Sequence, residues 1–272
     1  MTKKDKYTQS DEHNARGIEL ADRGWFEEAQ KEFNKAIALD PDSAHAYDNL
    51  ATLHAESGEL LEALQTFLTA LQCEPDNPET HHYLANFLAS HGQELAIHQY
   101  REAIQLSEHC PDSHLNLAVA LTDAGRPTEA LSELLLAHTA APDDELIEHE
   151  LACCLIDLDR LPEAITHLRK IIQKSPHLVE AYVDLGIAYT AQGFFAEAEE
   201  ILRTALELDP NDFATHYHLA TLYLKWNQVP RSISHLEQAS RSNHQKLQIW
   251  LPDDPIFLSL HQDPEYCHLL DS

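Results

Sequence analysis

The chain has 272 residues, 43% of them hydrophobic, which is enough to bury a core and excludes wholesale disorder. Lys and Arg number 18 against 46 Asp and Glu, a net charge of −28, and such a chain repels phosphate backbones and anionic lipid surfaces. No nucleic-acid or membrane partner is therefore expected, and nowhere do roughly 18 apolar residues run together as a membrane span would need.

From the start, "MTKKDKYTQSDEHN" has no apolar stretch after its lysines, so no signal peptide is expected, and residues 1–9 read as a tail. Between Lys35 and Arg101 there is no basic residue, while ten Asp or Glu fall in that stretch. The five cysteines (Cys73, Cys110, Cys153, Cys154, Cys267) are an odd count without zinc-like spacing, which predicts reduced, packed thiols and a cytoplasmic protein.

Beyond this start the chain is periodic. Gly24, Gly58, Gly92, Gly125 and Gly193 are separated by 34, 34, 33 and 68 residues. Ala29, Ala63, Ala96, Ala130, Ala164 and Ala198 march in step, with Ser232 next. A second series runs Ala36, Ala70, Ala103, Ala137, Ile171, Ala205, Ala239, and Pro41, Pro75, Pro142, Pro176 and Pro210 keep the same interval. An interval of this size marks a tandem array of supersecondary units.

Each unit reads as two helices. In residues 44–77, Tyr47, Leu50, Ala51 and His54 share one helical face, and Ala63, Phe67 and Ala70 share the face of a second. Gly58 stands between them where a left-handed residue is wanted; Asp159 and Asn227 take that slot elsewhere. Pro75 stops the second helix, and Asn77–Pro78 opens the next as N-cap and first-turn proline. Gly186, with its counterparts Gly17, Ala51, Ala85, Ala118, Ala152 and Ala220, is small where two helix backbones cross.

This skeleton resembles the tetratricopeptide repeat family. The family's pattern wants small residues at Gly186, Ala198 and Ala205, large ones at Tyr182, Leu185, Tyr189 and Leu202, and proline at Pro210, and all are present. Glu108 and His244 replace the closing proline, and Ile171 replaces a small residue. The resemblance implies an all-α, right-handed superhelical solenoid. Its seven repeats would be 10–43, 44–77, 78–110, 111–144, 145–178, 179–212 and 213–244, followed by a capping segment, 245–272. That segment carries Asp254–Pro255 and Asp263–Pro264, each with an aromatic two residues past the proline (Phe257, Tyr266). This reads as two short helical segments that cover the last repeat or, with Trp250, engage a partner.

No phosphate loop, H-E-x-x-H or nucleophile elbow is present, so no enzyme activity and no cofactor is expected. Of the 19 histidines, His13, His81, His114 and His216 take the slot of Tyr47 and Tyr182 and read as half-buried flat rings. A metal site from His45, His81 and His82, or a response to pH, is the less economical alternative. Cys153 and Cys154 read as small core or groove residues.

The resemblance places the first helix of each pair on a concave binding face. Its inward residues would be Asn14 and Ile18; Asp48, Asn49 and Thr52; His82 and Asn86; Leu115, Asn116 and Val119; His149 and Cys153; Val183, Asp184 and Ile187; Tyr217 and Thr221. The clamp of Lys and Arg with which some family members grip acidic chaperone tails has only Lys225 near it, so that role is disfavoured. Asn49, Asn116 and Asp184 form a partial ladder similar to the backbone-binding asparagines of O-linked sugar transferase arrays, interrupted by Tyr83, Glu150 and His218. From the fourth repeat on, Leu115, Val119, Leu146, Cys153, Ile156, Val183, Ile187 and Tyr217 make the face more apolar. The expected function is a scaffold or adaptor binding a basic or amphipathic polypeptide. The alternatives are self-association, through Lys3, Lys4 and Lys6 against acidic repeats, and a histidine-based metal or pH regulator.

Overall fold

The computed structural model describes residues 3–89, 92–107, 110–252, 254–260, 263, 266 and 269, with the side chains of 3–6 excepted. Glu108, Pro264, Cys267 and the side chains of Lys3, Lys4 and Lys6 lie outside the described residues. Two compact units are formed, Met1–Pro142 and Asp143–Ser272. Among the described residues there are fourteen α-helices, one 3-10 helix and no strand.

In the first unit the helices pair as α1 (Lys3–Asp22) with α2 (Phe26–Leu39), α3 (Ala44–Glu56) with α4 (Leu60–Cys73), α5 (Pro78–Ala89) with α6 (Gln93–Leu106), and α7 (Pro111–Asp123) with α8 (Pro127–Ala140). In the second they pair as α9 (Glu145–Asp157) with α10 (Leu161–Lys174), α11 (Val179–Gln192) with α12 (Phe195–Leu208), and α13 (Phe213–Lys225) with α14 (Val229–Trp250); the 3-10 helix, Pro255–Leu260, follows. Within each unit a helix packs against its own partner and against the next pair, the nearest-neighbour layout of a repeat protein. The all-α class and the stacked helical hairpins are thus present.

Local chemistry sets the ends. Gly24, Gly58, Gly125 and Gly193 have φ between 71° and 80°, and Asp159 and Asn227 take the same left-handed turn at 57° and 58°. Gly92 departs from the expected slot. Its φ is −175°, and it stands immediately before α6, because this connection is one residue short and the glycine has moved from the turn to the N-cap. Asn77 Oδ1 accepts the N–H groups of Glu79 and Thr80 at 2.9 and 3.2 Å, which fixes the start of α5.

The two alanine series lie in the seams. Ala29, Ala63, Ala96, Ala130, Ala164 and Ala198 are all buried, as is Ser232, whose Oγ donates to the Ala220 carbonyl at 2.8 Å. Ile171 is buried in its place among alanines, with Leu168, Leu185 and Leu202 in the same core cluster. Gly17 and Gly186 mark close crossings, since a Cβ would run into Phe33 Cε1 at the one and sit 2.5 Å from Leu202 Cγ at the other.

Both ends depart from the plain helical hairpin. Residues read as a tail are helical from Lys3 onward, and Ser10 Oγ ties that early turn to α2 by donating to the Ala36 carbonyl at 2.9 Å. At the other end His244 stands where a closing proline would, and α14 continues to Trp250. The chain bends at Asn243 (φ −154°, ψ 86°), whose Oδ1 accepts the Lys246 N–H at 2.9 Å and restarts the helix at once. The tail then folds onto α13 and α14: Phe257, Leu260, Tyr266 and Leu269 are buried against Phe213, Ile233, Leu236 and Leu251. Burial of each aromatic contributes about 1.5–3 kcal/mol. Trp250 packs edge-on to Phe213 and Tyr217, with centroids 5.3 and 5.2 Å apart. The described part of the tail is therefore a lid on its own last helix pair.

Candidate functional site

The first helices carry a recurring polar device at the slot of Tyr47 and Tyr182. His13 Nδ1 meets Glu32 Oε2 at 2.6 Å, His81 Nδ1 meets Gln99 Oε1 at 2.6 Å, and His114 Nδ1 meets Glu133 Oε2 at 2.7 Å. In the second unit the roles reverse at Glu148, which accepts from His167 at 2.8 Å and from Lys170 at 2.6 Å. At His216 the partner is His235, Nδ1 to Nδ1 at 3.1 Å. The far side of the ring reaches back to the proline carbonyl that closes the preceding pair: His81 to Pro75 at 3.0 Å, His216 to Pro210 at 3.1 Å, and the Tyr182 hydroxyl to Pro176 at 3.1 Å. These histidines clip one helix pair together and tie it to the turn before it. They do not converge, and the expected His45, His81 and His82 group is dispersed: His45 faces Glu79, and His82 Nδ1 meets Ser113 Oγ at 2.8 Å.

Of the residues expected on the first unit's inward face, Asp48 is 1% exposed, so it is unavailable to a partner. Its Oδ2 accepts from Thr80 at 2.7 Å, while Oδ1 has no hydrogen-bond partner among the described residues, and burial raises the carboxyl to about 6. The asparagines pair with one another. Asn49 Nδ2 donates to Asn14 Oδ1 at 3.0 Å, and Asn116 Nδ2 to Asn86 Oδ1 at 3.1 Å, which also accepts the Tyr100 hydroxyl at 2.6 Å. Asn86, Asn116 and Val119 line a hollow of about 250 Å³, with Val119 38% exposed, whereas Leu115, one turn earlier, is buried. Thr52 and Ile18 are exposed beside a similar hollow of about 260 Å³. His82 is half-buried, and desolvation lowers its pKa.

In the second unit the expected apolar anchors are mostly covered. Val183 and Tyr217 are buried, Ile187 is half-buried and packs in the same cluster as Val183, and Thr221 is buried with its Oγ1 donating to the Tyr217 carbonyl at 3.3 Å. The Tyr217 hydroxyl donates to Asp254 Oδ2 of the lid at 2.6 Å. Leu146 is 57% exposed but lies outside the cleft.

His149, Cys153 and Asp184 come together. His149 and Cys153 are one turn apart on α9 and so share a face, and Asp184 projects from α11, which packs on α9. His149 Nε2 donates to Asp184 Oδ2 at 2.7 Å; Cys153 Sγ lies 3.9 Å from that nitrogen and 3.7 Å from that oxygen. The bond to Asp184 holds the His149 pKa up against desolvation, while burial and the Asp184 charge push the Cys153 thiol far up. This is not a nucleophilic relay. One imidazole nitrogen faces both partners, where a relay needs one nitrogen for each, and the thiol is raised rather than lowered. The three residues open on a cleft of about 540 Å³ lined also by Glu180, Asp209, Asp212, His218 and Lys246 and by Val179 and Val183.

Models of the tetratricopeptide repeat match residues 14–78 and 87–145, 66–105, and 155–214 and 190–251, which together span 14–145 and 155–251. The chain belongs to the tetratricopeptide repeat family. Among curated proteins, tetratricopeptide repeat protein 8 of Caenorhabditis elegans is 28% identical over 110 residues, 40% of this chain and 22% of that protein. The peroxisomal targeting signal receptor of Eremothecium gossypii is 32% identical over 115 residues, 42% of this chain and 20% of the receptor. The chain thus spans about a fifth of the length of these relatives. The solved structure of YrrB, described as a TPR protein with an unusual peptide-binding site, shares the fold at a TM-score of 0.60 and 22% identity, over 67% of this chain and 95% of YrrB.

Tetratricopeptide repeat membership supports a protein–protein interaction scaffold in general. No helix among the described residues is long and apolar enough to cross a membrane. The four described cysteines are free thiols. Two features of the repeats go beyond what periodicity alone reveals. The polar clip leaves a signal, a partner 18 or 19 residues after the slot, visible as His13–Glu32, His81–Gln99, His114–Glu133, Glu148–His167 and His216–His235. The His149–Cys153–Asp184 cluster leaves only half of one, the i, i+4 pair on α9.

Proposed function

We propose that the chain is a non-catalytic scaffold that holds a basic, amphipathic polypeptide segment, with the second unit's cleft as its principal seat. The observation that carries this reading is the composition of that cleft: the carboxylates Glu180, Asp184, Asp209 and Asp212 outnumber its lysine, Lys246, whose Nζ lies over the Phe213 and Trp250 rings, and Val179 and Val183 line it beside them. A lysine- or arginine-bearing segment complements the carboxylates, and an apolar side chain packs on the valines. In the first unit the paired asparagines and Val119 offer a smaller, neutral contact to an extended backbone. The peptide-binding site of YrrB and the targeting-signal receptor of Eremothecium gossypii support a polypeptide ligand for this architecture.

A labelled helical peptide with lysines on one face and leucines on the other, set against its glutamate-bearing twin, tests the reading by fluorescence anisotropy. The basic peptide is expected to bind, to weaken as salt rises, and to lose about threefold to tenfold in affinity when Glu180→Gln and Asp209→Asn are combined. Equal binding of both peptides, or no change in the double variant, would refute the assignment.

A further inference from the structure

Among the described residues, His149, Cys153 and Asp184 are the one group of three side chains whose ligand atoms all lie within 4.8 Å of one another. Their donors are an imidazole nitrogen, a sulfur and a carboxylate oxygen. A tetrahedral zinc ion, with bonds of about 2.3 Å to sulfur and about 2.0–2.1 Å to nitrogen and oxygen, sets such atoms about 3.3–3.6 Å apart. The observed separations are 3.9 Å from sulfur to nitrogen, 3.7 Å from sulfur to oxygen and 2.7 Å from nitrogen to oxygen. Rotations of about half an ångström at the side-chain tips close the first two and open the third. The backbone already presents the donors: two come from one helical face, and the third comes from the neighbouring first helix.

We propose that His149 Nε2, Cys153 Sγ and Asp184 Oδ2 form a binding site for a borderline transition-metal ion, zinc(II) being the ion that the donor set fits best. Magnesium and calcium, which take all-oxygen shells, are poorly matched by an imidazole and a sulfur. The ion enters from the cleft, where the side chains of His149 and Asp184 are about one-fifth exposed, 21% and 20%. Binding displaces the thiol proton and the proton held between His149 and Asp184, both of which pass to solvent. The +2 charge then offsets what burial and Asp184 impose on Cys153, because a coordinating thiol is deprotonated outright. Three protein donors leave one position of a tetrahedral ion for water or a side chain brought by a ligand.

The test uses the reduced full-length chain with cobalt(II) as a spectroscopic probe and zinc(II) in competition with a chelator. The wild type is expected to bind one cobalt ion with tetrahedral d–d bands and a thiolate-to-metal charge-transfer band, and zinc is expected to displace it. Cys153→Ser should abolish the charge-transfer band, and both it and Asp184→Asn should weaken zinc binding tenfold or more. His81→Gln with His82→Gln should change neither. Absence of the charge-transfer band in the wild type, or zinc binding to Cys153→Ser as tight as wild type, overturns the proposal and assigns the metal to scattered surface histidines. Circular dichroism reports whether each variant folds. Should a variant fail to fold, alkylation of the wild type decides: zinc must slow labelling of Cys153 and leave Cys73 unchanged, and equal labelling with and without zinc rejects the site.

Discussion

Asp48 offers the sharpest quantitative test of how the helix pairs pack. Its carboxyl is buried between α3 and α5 with one oxygen bonded to Thr80 and the other without a partner among the described residues, and burial raises it to about 6 from an ordinary 3.8. The neutral form is thus favoured in the folded chain. The stability it provides is fully present below about pH 4 and is lost as pH rises through about 6. At 1.36 kcal/mol per pH unit, the span from 3.8 to about 6 corresponds to at most about 3 kcal/mol. Asp48→Asn keeps an acceptor for Thr80 and removes the charge. It should therefore match wild type at pH 4 and exceed it by about 1–3 kcal/mol at pH 8. Urea unfolding followed by helical circular dichroism at several pH values reads the difference, which isolates this group from every other titration. If the variant is no more stable than wild type at pH 8, or if the two profiles run parallel, Asp48 is charged and satisfied, and the argument fails.

Other outcomes rest on the same contacts. His235, desolvated and facing His216, is pushed down to about 4, so its contribution is complete above about pH 6.5 and is lost as pH falls toward 4. His235→Gln should flatten that part of the acid profile, as seen by urea titration between pH 4 and 7. Gly186→Ala drives a Cβ against Leu202 and should cost about 1–3 kcal/mol, whereas Gly193→Ala, at φ 80°, should cost about 1–2 kcal/mol through backbone strain alone. Thermal melts of the two variants measure this. Phe257→Ala empties a fully buried site in the lid and should cost about 3–5 kcal/mol, with faster amide exchange in α13 and α14 as the local readout.

The opposed responses of Asp48 and His235 also bear on what a sequence can tell. The helices, their turns and their seams were legible because glycine, alanine and proline each do one mechanical job at a fixed interval. Gly92 misled because the residue missing between it and Ala96 moves it from a left-handed turn to a helix start, and the spacing alone does not say which backbone conformation results. The candidate face was legible only as a set of positions. Leu115 and Val119 are one helical turn apart, yet one is buried and the other exposed, because the crossing of α7 with its neighbours decides which is covered. Asp48 takes the slot that His82, His149 and Tyr217 hold in other repeats and is sealed against Thr80. The His149–Cys153–Asp184 cluster depends on how far α11 advances past α9, and nothing in the residue types encodes that distance.

The bond from Tyr217 to Asp254 reaches further than the lid. Tyr217 belongs to the row of first-helix positions along which a guest chain would lie, and the protein's own tail already grips its hydroxyl. On the proposed reading the tail and a guest chain are neighbours on α13, so loosening the Asp254 contact would free the Tyr217 ring as well as unseat the lid.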